Sequence, residues 1–275
     1  MTLTLQGPLV LVGAGKMGGA LLSGWLGQGL NPRDVYLRDP NPPAEIAQLV
    51  AERGIPLNFS IPDLAARRPS VVLLAVKPQM MDQVLPDLAP LVAPETLFIS
   101  IAAGMGLHRL GELLGAGAHV VRAMPNTPAS VGRGITVACA NALVTLGQRE
   151  LATALLGAVG EADWVENEGL IDAVTAISGS GPAYVFYLTE CLAAAGESLG
   201  LEAGLALRLA RATVSGAGEM LHQLDDTPST LRKNVTSPGG TTAAALDVLM
   251  GENGMSTLMR HAAHAARDRS RELGQ

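Results

Sequence analysis

The stretch Gly13-Ala14-Gly15-Lys16-Met17-Gly18 constrains the fold of this chain most, because of what flanks it. It follows Pro8-Leu9-Val10-Leu11-Val12, a short apolar run that reads as a buried strand. It opens Met17–Leu30, where Met17, Ala20, Leu21, Trp25 and Leu26 share one helical face. Strand, G-x-G-x-x-G and helix in this order are the context a dinucleotide-binding turn requires. In that reading Gly13 permits the turn, Gly15 lets a pyrophosphate approach the backbone, and Gly18 lets helix and strand pack closely. A nicotinamide dinucleotide, NADP(H) or NAD(H), is the expected ligand.

The next strand, Asp34–Asp39, ends where the two dinucleotides are normally told apart. Asp39 at that position hydrogen-bonds both hydroxyls of an adenosine ribose and favours NAD, whereas Arg38 can pair with the 2′-phosphate of NADP. Sequence alone leaves this choice open.

Further apolar runs follow at Val71–Val76, Leu97–Ile101, His119–Met124 and Ile135–Cys139, with helical stretches such as Met81–Leu91 and Leu107–Leu114 between them. Strands apolar on both faces and alternating with helices predict a mostly parallel sheet covered on both sides. Ligands of such sheets bind beyond the carboxyl ends of the strands. This puts Lys77-Pro78-Gln79, Ala102-Ala103-Gly104 and Pro125-Asn126-Thr127-Pro128 around the crevice. After Trp164 the pattern becomes helical, with candidates at Ala183–Leu199, Ala203–Leu224, Ser229–Val235, Thr242–Met250 and Met255–Leu273. The fold expected is an α/β N-terminal Rossmann-like domain over residues 1–164 and an all-α C-terminal domain over 165–275. The helix from Ala183 carries Val185, Leu188, Leu192 and Ala195 with Phe186 and Tyr187 beside them, too wide an apolar surface for one covered face. A two-fold partner is the simplest cover.

Composition narrows the function classes. A net charge of −6 gives no electrostatic reason to bind nucleic acid or an anionic membrane. No apolar run reaches the roughly 20 residues that span a bilayer. The two cysteines, Cys139 and Cys191, fit a reducing compartment, so a cytoplasmic enzyme is expected. No metal site is expected: His261 and His264 stand three apart on the last helix without a third ligand nearby.

The second half holds one further chemical signal, Thr236-Ser237-Pro238-Gly239-Gly240-Thr241-Thr242. Proline and two glycines force a tight turn, and Thr241 and Thr242 are expected to cap the helix after it. Such a loop aims N–H groups and hydroxyls at one spot, backed by the positive end of a helix, and suits a small carboxylate.

Together with Ala75-Val76-Lys77-Pro78-Gln79, Met124-Pro125-Asn126-Thr127-Pro128 and Ser178-Gly179-Ser180-Gly181-Pro182-Ala183-Tyr184, these motifs closely resemble the pyrroline-5-carboxylate reductase family over nearly the whole chain. The resemblance implies reduction of 1-pyrroline-5-carboxylate to L-proline by NADPH or NADH. It also implies an interlocking helical dimerisation domain, with dimers that commonly assemble into decamers. By position it implies that Thr242 hydrogen-bonds near the substrate ring nitrogen as the catalytic side chain. Ser237, Gly239, Gly240, Thr241 and Thr242 would cradle the carboxylate. Gly13, Gly15, Lys16, Met17, Gly18, Arg38, Asp39, Ala75, Val76, Lys77, Pro78 and Asn126 would line the cofactor. Arg38-Asp39 departs from the strand ends common in NADPH-using members. The competing readings are a Rossmann reductase of the β-hydroxyacid dehydrogenase or ketopantoate reductase type, and a non-catalytic NADP-binding regulator. The first lacks its catalytic Lys or Glu in motif context, and the second has no use for a substrate cradle.

Overall fold

The computed structural model describes residues 5–274. They form two compact units, one running to Gly179 and joined by the residues from Arg267 onward, the other spanning Ser180–Ala266. The division falls at Gly179, whereas the change of sequence pattern comes at Trp164, where the last strand ends. The intervening residues include α7 (Ile171–Val174), whose Ile171 is buried in the first unit.

The first unit is a seven-stranded sheet. Its strands are β1 (Leu9–Val12), β2 (Val35–Arg38), β3 (Val71–Leu74), β4 (Leu97–Ser100), β5 (His119–Met124), β6 (Gly134–Ala140) and β7 (Gly160–Trp164), in the order β2-β1-β3-β4-β5-β6-β7. The first five run parallel; β6 is antiparallel to β5, and β7 parallel to β6. The helices of this unit are α1 (Lys16–Gly27), α2 (Ala44–Arg53), α3 (Ile61–Ala66), α4 (Met81–Leu88), α5 (Leu107–Leu114), α6 (Leu146–Leu156) and α7.

Strand residues alternate between two cores, as a period of two dictates. Leu9, Leu11, Val71, Leu73, Leu97, Ile99 and Val121 pack on one face with Leu21, Leu22 and Trp25 of α1. Val10, Val12, Val72, Leu74, Phe98 and Val120 pack on the other with Met81, Leu85 and Leu110. Trp25 is fully buried and its indole N–H donates to the Leu155 carbonyl at 2.8 Å, tying α1 to α6. This is why the strands are apolar on both faces, and it holds the start of α1 at the carboxyl end of β1.

Arg122 of β5 is 9% exposed and donates to Glu168 Oε1 at 2.8 Å, and the same oxygen accepts the Leu107 N–H of α5 at 2.8 Å. Removing one partner of a fully buried pair costs about 3–5 kcal/mol. Glu168 keeps 33% of its side chain exposed, so Glu168→Ala should cost less, about 2 kcal/mol. Chemical denaturation checks this. Glu168→Gln, which keeps an acceptor, should recover part of the loss.

The second unit contains α8 (Gly181–Ser198), α9 (Ala203–Gln223), α10 (Pro228–Asn234), α11 (Thr241–Leu249) and the greater part of α12 (Met255–Leu273). Helices α8 and α9 meet through small residues: Ala193, Ala206 and Ala210 are buried, and a Cβ on Gly196 would sit 3.1 Å from that of Ala206. Much of the remaining apolar surface is bare. Phe186 is 63% exposed, Tyr187 66% and Val248 77%, and α11 has no buried residue. The end of α12 belongs to the first unit, where the Ser270 hydroxyl donates to Asp172 at 2.7 Å.

Candidate active site

The three motif glycines occupy three different environments. Gly13 has φ +89, and a Cβ there would lie 2.9 Å from the Ala75 backbone and from Val76 Cγ1. A Cβ on Gly18 would collide with the Gly13 carbonyl oxygen and press on Ala75 Cβ at 3.1 Å. Gly15 differs: a Cβ there would meet nothing within 4 Å. Two glycines therefore let α1 approach β1 and β3, while the third leaves open space beside the backbone. The positive φ at Gly13 and the tight packing at Gly18 are what the turn and the close helix–strand contact need.

Gly15 is also the N-cap of α1. No side chain caps that end, and no acidic residue lies in its first turn. The first N–H groups of α1 thus have no internal partner, and the helix dipole adds positive potential there. A cleft of about 550 Å³ opens at this point, lined by Ala14, Gly15, Lys16, Ser23, Glu45 and Ser130 among others. Backbone N–H groups at an uncapped helix start are the kind of donors that an anion takes up.

The other expected cofactor residues gather at the same end of the sheet. Gly13 N–H donates to the Arg38 carbonyl at 2.9 Å, and Ala75 N–H to the Val12 carbonyl at 2.7 Å. Val76 is half-buried, and Lys77 is exposed where it precedes the short turn Pro78–Met80. Asn126 follows β5, and its side-chain oxygen accepts the Ile135 N–H of β6 at 2.9 Å, so it also fixes the backbone of its own loop. Met17 packs against the core under α1.

In the second unit, the Gly240 N–H donates to the Ser237 carbonyl at 3.0 Å and closes a turn around Pro238 and Gly239. Gly239 has φ +69, the conformation a type II turn requires of its third residue. Two expectations are corrected here. Thr241 and Thr242 do not cap the following helix: Gly240 is its N-cap, with no side-chain cap bond, and the threonines are the first two helical residues. Gly240 N–H is spent inside the turn, so it does not face outward. The free donors are the early N–H groups of α11, since its first internal bond runs from Ala244 N–H to the Gly240 carbonyl. Among the described residues the Thr242 hydroxyl has no hydrogen-bond partner, and Thr242 is half-buried. A hydroxyl that caps nothing remains available to a ligand.

Cys139 of β6 is buried in the first unit. Burial pushes the Cys139 thiol up to about 11, helped by the negative charge of Glu168, so it stays protonated and inert at neutral pH. The described residues hold no group of three or more His, Cys, Asp or Glu side chains placed to hold a metal ion.

Comparison with known proteins agrees with both halves. Residues 168–273 match the family described as pyrroline-5-carboxylate reductase dimerisation, and residues 8–104 match that described as NADP oxidoreductase, coenzyme F420-dependent. The chain is 42% identical to a pyrroline-5-carboxylate reductase of Pseudomonas aeruginosa over 97% of both chains. It is 39% identical to that of Corynebacterium melassecola over 97% of this chain and 98% of the other. Among solved structures, a pyrroline-5-carboxylate reductase of Coxiella burnetii superposes with a TM-score of 0.91 at 34% identity, covering 98% of this chain and 99% of that one. The Plasmodium falciparum pyrroline carboxylate reductase with NADP bound gives 0.81 at 30% identity, over 99% and 100%. Fold, motifs and relatives converge: this chain belongs to the pyrroline-5-carboxylate reductase family.

Proposed function

We propose that this chain reduces 1-pyrroline-5-carboxylate to L-proline, the last step of proline biosynthesis, using NAD(P)H. The observation that carries the reading is the Thr242 hydroxyl, unpartnered beside the uncapped start of α11, in a chain that also holds an open-glycine dinucleotide turn. The bound dinucleotide supplies the hydride that adds to the imine carbon. The protein supplies grip and orientation. The open backbone at Gly15 and the first N–H groups of α1 hold the pyrophosphate. Ala75, Val76, Lys77, Pro78 and Asn126 line the nicotinamide side. The Ser237 hydroxyl and the first N–H groups of α11 hold the substrate carboxylate, and Thr242 orients the ring nitrogen. No acidic side chain lies within Ser237–Thr242, so the proton on nitrogen arrives with the imine or from water.

The test is dinucleotide oxidation, followed by nicotinamide absorbance, with and without pyrroline-5-carboxylate. Oxidation that depends on the imine supports the proposal. Oxidation driven equally by 2-keto acids, or by the 3-oxo acids that are the oxidised forms of β-hydroxy acids, would favour the β-hydroxyacid-type reading.

The match of residues 168–273 to a dimerisation family makes the protein a homo-oligomer, and we assign the interface to the bare apolar helices of the second unit. Sedimentation at micromolar concentration should give at least a dimer, with a decamer of five dimers as the larger assembly. A monomer would contradict this. Among the described residues no helix is long and apolar enough to cross a membrane. Two free thiols and a net charge of −6 support a cytoplasmic enzyme that binds neither membrane nor nucleic acid.

A further inference from the structure

The strand end that distinguishes the two dinucleotides is fixed in one arrangement. Asp39 is clamped through its backbone by Asn58, whose side chain accepts the Asp39 N–H at 2.9 Å and donates to the Asp39 carbonyl at 2.9 Å. Asn58 adopts φ +55 to do this, one of two non-glycine residues with positive φ among the described residues. The Asp39 carboxylate is held in turn: Oδ2 accepts the Ala14 N–H of the glycine turn at 2.7 Å, and Oδ1 accepts the Asn41 N–H at 2.9 Å. Its negative charge is therefore pinned against the turn that would carry the dinucleotide.

Arg38, the only cation next to it along the strand, points elsewhere. Its guanidinium donates to the Phe59 carbonyl at 3.4 Å and lies 3.8 Å from Asp87. Residues 39–43 are Asp, Pro, Asn, Pro and Pro, which supply no cation. In the cleft lining the cation is Lys16, the first residue of α1, where the pyrophosphate that both dinucleotides share would sit, and the carboxylate in that lining is Glu45.

We infer that Asp39 is the specificity-determining residue of this chain and that it favours NADH over NADPH. This rests on the dinucleotide reading above. An unphosphorylated ribose offers hydroxyls that donate to a carboxylate. A 2′-phosphate brings about two negative charges to a fixed anion with no cation turned to receive them.

The experiment is a fluorescence titration of wild type, Asp39→Asn and Arg38→Ala with NADH and with NADPH, without imine. Wild type should bind NADH at least about tenfold more tightly, and added salt should narrow that ratio by screening the repulsion. Asp39→Asn keeps a side-chain oxygen for the Ala14 N–H while losing the charge, so the ratio should collapse, mainly through tighter NADPH binding. Arg38→Ala should leave NADPH affinity within about twofold, because the guanidinium is turned to the Phe59 carbonyl and Asp87. Equal or tighter binding of NADPH by wild type would overturn the inference. So would a selective loss of NADPH affinity in Arg38→Ala, which would mean that Arg38 turns to meet the phosphate. Failure to bind either dinucleotide would overturn the reductase reading and this inference together, whereas binding both alike overturns only the selectivity.

Discussion

Thr242→Ala is expected to lower kcat/KM for pyrroline-5-carboxylate by about ten- to a hundredfold while leaving dinucleotide affinity unchanged. A hydrogen bond to a charged or charge-developing group is worth about 1.5–3 kcal/mol, and each 1.4 kcal/mol is about tenfold in rate. The structure separates this effect from stability. A capping threonine would lose about 1 kcal/mol of fold stability on truncation. Gly240 holds the cap position and Thr242 makes no side-chain hydrogen bond, so the denaturation midpoint of Thr242→Ala should stay near wild type. Thr242→Ser keeps the hydroxyl and should retain most of the activity. Wild-type kinetics in the alanine variant would remove the side chain from the mechanism and leave the α11 N–H groups as the substrate contact.

The second large effect comes from two glycines three residues apart that should fail in opposite ways. At Gly15 a side chain meets open space, and φ −62 suits any residue. Gly15→Val should therefore fold, with a loss of about 1 kcal/mol at most for a poorer N-cap. Its isopropyl group would occupy the space for the pyrophosphate. Forcing such a group into a fitted contact costs about 1–3 kcal/mol, which is up to about a hundredfold in dinucleotide affinity. At Gly18 the added Cβ runs into the Gly13 carbonyl oxygen and Ala75. Gly18→Val should lose about 3 kcal/mol of fold stability or more, because α1 would have to leave the sheet it packs on. Denaturation midpoints and dinucleotide titrations on both variants check the pair. Normal binding by Gly15→Val would move the pyrophosphate away from this turn.

What could be read before any coordinates tracks how local the physics is. The parallel strands and the glycine turn were legible because burial on both faces leaves continuous apolar runs, and the turn has its own residue code. Helix α6 was missed although its capping box, Thr145 with Gln148, stands in the sequence as a T-x-x-Q pattern. Strand β7 was missed for a better reason. Gly-Glu-Ala-Asp-Trp carries little apolar signal, since an edge strand has only one neighbour and keeps polar positions exposed. The caps were misjudged at Thr241 and Thr242 because threonine propensity suggests an N-cap, while the turn closed by Gly240 N–H fixes the helix start one residue earlier. The engagement of Asp39 with Ala14, and the turning away of Arg38, depend on contacts with residues 14, 59 and 87 that no local pattern encodes.

The central claim is hydride transfer to the carbon of a cyclic imine, and transfer of label tests it most directly. Nicotinamide dinucleotide deuterated at C4 on the transferring face is incubated with the protein and unlabelled pyrroline-5-carboxylate, and the product is read by mass spectrometry and proton NMR. The account predicts L-proline carrying one deuterium, located at C5, the former imine carbon. Unlabelled proline, or no proline while the dinucleotide is oxidised, would contradict it.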